Sequence, residues 1–247
     1  MAKLIYQPKG KAREYSPWAC NLYNGCTNRC TYCYNRKGVA CKLLGKDDVT
    51  LKSGLDNFTN VFLTFQKELC KYKEQIIADS KGLFFNFVSD PFLEETWKSN
   101  YHCANYAMGE GVPCVFLSKK VPSQMFVKLF EYYKDIVKVG FTLTGHDELE
   151  PGADTNGERI DAIRKLTGLG ITTWASIEPV IDIKSSSQMI ASAYQAGCRD
   201  FKIGLLSGKK EYTPEEVKGF KMYIHDIFGG TCSIQWKDSV IDYITNE

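Results

Sequence analysis

From about residue 83 to residue 228, short apolar runs alternate with segments in which apolar side chains recur every three or four positions. The runs at 83–88, 113–118, 137–143, 172–177 and 200–206 predict strands, and the segments at about 95–108, 123–134, 156–169, 186–197 and 214–228 predict helices. Ser123, Asn156 and the Thr213-Pro214 pair supply helix starts, and Gly170 and Gly197 supply stops. Upstream, Phe58, Val61, Phe62, Phe65, Leu69, Tyr72 and Ile76 fall on one face of a helix over 56–79, which Asp56 or Asn57 would cap. With the run at 18–23 as a first strand there are six βα units. Such alternation predicts an α/β fold with parallel strands.

The flanks differ. Residues 1–17 are basic and broken by Pro8, Gly10 and Pro17, which predicts an arm leading into the first strand. Residues 35–53 are polar with two glycines and predict a loop. The tail at 231–236 predicts one more short strand.

Composition sets bounds on this picture. A chain of 247 residues that is 44% hydrophobic has enough apolar side chains for one sizeable core. A net charge of +2 lacks the footprint of a dedicated nucleic-acid binder, though it leaves room for a local basic groove. No apolar stretch approaches a membrane span. The start carries no apolar run of signal-peptide length, so the ten cysteines are expected as thiols in a reducing cytoplasm. Cys41, Cys70, Cys103, Cys114, Cys198 and Cys232 are scattered, which argues against an auxiliary cluster.

The remaining thiols carry the chemistry. In Gly25-Cys26-Thr27-Asn28-Arg29-Cys30-Thr31-Tyr32-Cys33-Tyr34 the spacing C-x3-C-x2-C hangs three thiolates from one tight loop after the first strand. Thiolates are the usual ligands of iron-sulfur clusters, and a [4Fe-4S] cluster takes four. Three would leave one iron open to a ligand from outside the chain. The alternative is zinc, but a structural zinc site takes four ligands, and Cys20 and Cys41 lie outside the loop without paired partners.

This loop, with an aromatic residue before its third cysteine, resembles that of the radical S-adenosylmethionine (SAM) enzymes. The segments Asn21-Leu22-Tyr23-Asn24-Gly25-Cys26, Ser89-Asp90-Pro91-Phe92, Leu117-Ser118-Lys119, Glu150-Pro151-Gly152-Ala153 and Ile177-Glu178-Pro179, with Arg159, are similar to the spore photoproduct lyase-related branch, which includes small phage-encoded proteins. The resemblance implies a partial (β/α)6 TIM-like barrel over 18–228, preceded by the arm at 1–17 and followed by an extension at 229–247. It implies a [4Fe-4S] cluster on Cys26, Cys30 and Cys33, SAM as cofactor, and a one-electron reductant such as flavodoxin or ferredoxin. The compartment would be the cytoplasm, or the host's if the protein is phage-encoded.

Parallel barrels build their sites at the carboxyl ends of strands. Cofactor contacts are therefore expected from Tyr32, Ser89, Asp90, Ser118, Lys119, Thr144, Arg159 and Glu178, with His146 as a candidate acid or base. Each has a structural alternative: a helix cap for Ser89 or Asp90, a solvated pair for Lys119 and Lys120, a surface ion pair for Arg159. The polar stretch after His146 is a candidate lid. Lys202 and Ser207-Gly208-Lys209-Lys210 bring positive charge to the same end, where it could meet phosphate. The lyase of this branch uses a further cysteine as hydrogen donor; Cys114 begins a strand and Cys103 falls in a helix, so neither is placed for that role. Three functions remain open: a radical SAM enzyme acting on a nucleotide, nucleic acid or small metabolite; specifically a nucleic-acid lesion or modification enzyme; and a non-catalytic iron-sulfur or zinc protein.

Overall fold

The computed structural model describes residues 3–37, 41–79, 81–208 and 210–245. Residues 1–2 of the expected arm, 38–40 of the expected loop and 246–247 of the expected extension lie outside this set. The strands are β1 (Ile5–Tyr6), β2 (Trp18–Cys20), β3 (Tyr23–Asn24), β4 (Thr50–Leu51), β5 (Leu83–Phe85), β6 (Cys114–Ser118), β7 (Val137–Thr142), β8 (Thr172–Val180), β9 (Asp200–Leu205) and β10 (Ser233–Trp236). The helices are α1 (Cys41–Leu44), α2 (Phe58–Ala78), α3 (Trp97–Gly109), α4 (Gln124–Tyr132), α5 (Asn156–Gly168), α6 (Ile183–Gln195), α7 (Pro214–Phe228) and α8 (Asp238–Thr245).

Among the described residues one sheet holds eight strands in the order β1-β2-β5-β6-β7-β8-β9-β10, parallel throughout except that β1 runs antiparallel to β2. The six expected parallel strands are present. The tail adds a seventh, with Ser233 opposite Asp200 in β9. The first predicted strand divides: β2 stays in the main sheet, whereas β3 pairs with β4 in a separate two-stranded sheet drawn from the expected loop.

Helix starts follow their caps. The Asn57 side chain accepts from the Asn60 backbone amide at 2.9 Å and begins α2, whose Val61, Phe65, Leu69 and Ile76 are buried. At α5 and α7, Thr155 with Glu158 and Thr213 with Glu216 form capping boxes, so α5 is capped one residue before Asn156. Asp182 accepts from the Ser185 amide at 2.8 Å and opens α6 earlier than expected. The short α8 was not anticipated.

Strand alternation divides the core in two. Leu83 and Phe85 point outward into the layer shared with the helices, while Phe84 points inward with Ala19, Val115 and Trp174. Two glycines make room inside. A Cβ on Gly140 would fall 2.1 Å from the Trp174 ring, and one on Gly204 would fall 2.7 Å from Glu178 Oε1. These close approaches permit no side chain at either position unless its neighbour moves.

Candidate active site

The cysteine loop is gripped from both sides. Gly25 has φ +83°, and a Cβ there would fall 2.0 Å from the Asp48 carbonyl oxygen; the Cys26 amide donates to Lys46 O at 3.1 Å. On the other flank the Thr31 amide donates to Leu149 O at 2.9 Å, and the Gly152 amide to Asn28 O at 3.0 Å. The segment expected as a lid after His146 is therefore a buttress packed under the loop.

Cys26, Cys30 and Cys33 border one cavity of about 440 Å³ at the carboxyl ends of the strands. Its walls include Ser89 and Asp90 after β5, Ser118 and Lys119 at the end of β6, and Ser176 and Glu178 in β8. Phe84, Phe87 and Tyr15 give it an apolar side, with the first two rings stacked at 4.1 Å between centroids. Among the described residues no three His, Cys, Asp or Glu side chains close on a point that would hold a single metal ion. The three thiols face a shared space instead. Burial, reinforced by the Asp90 carboxylate, pushes the Cys26 thiol up to about 12, and burial raises Cys30 as well. A coordinated cation reverses this, since a ligating thiol is deprotonated outright.

The donor set fits a cluster with a further ligand beside it. Asn28 Oδ1, Asn86 Oδ1 and Ser89 Oγ are buried without a hydrogen-bond partner among the described residues, and all three residues border the cavity. Buried polar atoms are rarely left unpaired, so these mark where a bound group would supply the partners.

Asp90 ties the loop to the barrel. Its carboxylate accepts from Asn28 Nδ2 at 2.9 Å, the Phe92 amide at 3.0 Å, Ser118 Oγ at 2.5 Å and the Lys119 amide at 2.7 Å. Lys119 Nζ lies 5.5 Å from the centre of the Tyr32 ring. Its burial works against the charge, but the acidic groups around it, Cys30 first and then Glu150, outweigh that and raise its pKa. The Tyr32 hydroxyl donates to Glu150, and burial followed by that carboxylate's charge holds the phenol well above its ordinary value.

Arg159, Thr144 and His146 do not border the cavity. Arg159 is fully buried beneath it, donating to Thr142 O at 2.5 Å and paired with Glu150. Thr144 is buried in the turn, its amide donating to Asn156 Oδ1 at 3.0 Å. His146 is held between Glu148 Oε1 at 2.8 Å and Asp182 Oδ2 at 2.5 Å. Lys202 lies inside the barrel, 5.3 Å from the Trp174 ring centre and 5.4 Å from that of Tyr15. Lys210 turns to the Tyr243 ring at 4.8 Å, and Lys209 lies outside the described residues. Cys103 and Cys114 belong to the outer core.

Several residues bordering the cavity were not anticipated. Ser176 shares a strand face with Glu178, two positions on, so alternation would have revealed it. Tyr15 and Lys237 arrive from outside the expected barrel.

No family model matches the chain, and no curated protein matches it in sequence. Solved structures match it in shape. A double mutant of spore photoproduct lyase with bound AdoMet and dinucleoside spore photoproduct superposes with a TM-score of 0.69 at 14% identity, across 92% of this chain and 78% of that one. This chain has the fold of spore photoproduct lyase. The lyase complexed with dinucleoside spore photoproduct gives 0.67 at 15% identity, across 94% and 80%. SuiB of Streptococcus suis bound to S-adenosylmethionine gives 0.57 at 9% identity, covering 84% of this chain but 46% of its own length. The branch suggested by the cysteine loop and the later motifs is thus the one whose fold the chain adopts.

Proposed function

We propose that this chain is a radical SAM enzyme. The observation that carries the reading is the meeting of the three loop thiols with unpartnered buried polar atoms in one cavity at the strand ends. The fold shared with AdoMet-bound spore photoproduct lyase supports it. Cys26, Cys30 and Cys33 would hold a [4Fe-4S] cluster. When bound and reduced by a one-electron donor such as flavodoxin or ferredoxin, the cluster would supply the electron that splits SAM into methionine and a 5′-deoxyadenosyl radical for hydrogen abstraction.

The chain's own residues bind and orient. Lys119 offers an ammonium to a carboxylate, and Ser89 and Asn28 offer polar atoms beside the thiols. Glu178 offers an acceptor to hydroxyls or to a cation. Asp90 acts through others, fixing Asn28 and the Lys119 backbone. Phe84, Phe87 and Tyr15 give the cavity an apolar wall, which would keep water from that side of a reactive intermediate.

A nucleotide or nucleic-acid substrate is favoured by a separate feature. Lys9, Lys11 and Lys37 border the cavity beside the exposed Tyr34 ring, and none of the three lysines has a carboxylate partner among the described residues. Cations beside an aromatic face suit a ring that carries an anionic group.

The test is 5′-deoxyadenosine production by anaerobically reconstituted, reduced protein supplied with SAM. Wild type should form it and Cys30→Ala should not. A fully loaded protein that leaves SAM intact would overturn the proposal and leave a non-catalytic metal protein.

A further inference from the structure

The two ends of the chain meet inside the site. Tyr15, carried in after β1, and Lys237, the residue following β10, both reach Glu178 in β8. Lys237 is 2% exposed and donates from Nζ to Glu178 Oε2 at 2.7 Å, with its ammonium 3.9 Å from the centre of the Tyr15 ring. The Tyr15 hydroxyl donates to the same carboxylate oxygen and lies 3.0 Å from Ser176 Oγ.

Glu178 Oε2 is thus occupied twice. Oε1 has no hydrogen-bond partner among the described residues, and it rests against Gly204, where a methyl group would come within 2.7 Å. A buried ammonium without its carboxylate would be costly, so seating Lys237 and fixing Glu178 are one event. Neither Tyr15 nor Lys237 belongs to the six expected βα units.

We propose that Tyr15 and Lys237 are positioning residues that hold Glu178 by Oε2 and present Oε1 to the cavity as the acceptor for a hydroxyl or ammonium donor of the bound ligand. The site is complete only when the amino-terminal arm and the carboxy-terminal segment are both seated. This rests on the reading of the cavity as a SAM site, and the arm supplies a measure that does not.

Two measurements on the full chain test it. Calorimetry of SAM binding to reconstituted protein should show Lys237→Met weakened about tenfold or more, the usual scale for a lost charged hydrogen bond, with Lys237→Arg recovering most of the loss. Tyr15→Phe and Gly204→Ala should weaken binding as well, the latter by displacing the carboxylate without altering charge. Trypsin digestion of cluster-free protein should cut the arm at Lys9, Lys11 and Arg13 faster in Lys237→Met than in wild type, because the arm loses its anchor. Unchanged SAM affinity in folded Lys237→Met overturns the proposal. Should that variant not fold, unchanged affinity in Tyr15→Phe and Gly204→Ala overturns it equally. If wild type does not bind SAM, the cofactor reading fails by itself, and the digestion decides: faster cutting supports the clamp, and equal cutting overturns it.

Discussion

Arg159 and Glu150 form an ion pair in which both side chains are wholly excluded from solvent. Glu150 also receives the Tyr32 hydroxyl, so the pair is the base on which the cysteine loop stands. Removing one partner of a buried pair costs about 3–5 kcal/mol, because the other charge stays buried and unpaired. Arg159→Met should therefore lower unfolding free energy by about that amount in urea denaturation. A loss within about 1 kcal/mol would place the pair among ordinary surface contacts.

Asp90 joins three segments through one carboxylate. Asp90→Ala leaves the Asn28, Ser118 and Lys119 donors without their acceptor, and each hydrogen bond to a charged group contributes about 1.5–3 kcal/mol. The expected result is destabilisation of at least about 3 kcal/mol, partly recovered in Asp90→Asn. Thermal and urea unfolding of the two variants check it.

Gly152→Ala tests the buttress separately from the barrel. Its methyl group would fall 2.1 Å from the Thr27 carbonyl oxygen, so the cysteine loop must shift to admit it. Iron and sulfide content after reconstitution should drop well below wild type while far-UV circular dichroism stays native. Full cluster loading in the variant would show that the loop does not depend on that contact.

His146 gives stability a pH dependence. Burial alone would lower its pKa, but hydrogen bonds from the ring to Asp182 and Glu148 outweigh this and raise it above the ordinary 6.5. A group raised on folding contributes fully below its unfolded pKa and loses that contribution as pH rises through the folded value. Wild type should lose stability from about pH 6.5 upward relative to His146→Asn, whose profile lacks this component. Parallel profiles for the two proteins would remove His146 as the cause.

The repeating unit of the fold was legible because strand runs and helical faces are local patterns. The 137–143 and 200–206 runs became β7 and β9 within a residue at each end. That the three thiols border one cavity follows from their spacing, and that Asp90, Ser118, Lys119 and Glu178 border it too follows from their places at strand ends. The placement of Arg159 away from the cavity does not follow from sequence, because nothing local distinguishes an arginine facing that space from one buried on Glu150 nine residues away. Tyr15 and Lys237 were invisible for a related reason. Their roles depend on pairing of β1 and β10 with the sheet edges, and on long-range contacts to Glu178 that no window of sequence contains. The apolar run at 18–23 forms two short strands instead of one, because the chain changes sheet after Cys20.

With three thiolate ligands, a [4Fe-4S] cluster on this loop would keep one iron open to SAM. The measurement that bears on it most directly is the electron paramagnetic resonance spectrum of the reduced, reconstituted protein before and after SAM is added. The expected result is a [4Fe-4S] signal whose line shape changes on addition of SAM. An unchanged spectrum at saturating SAM, from protein with full iron and sulfide content, would contradict it.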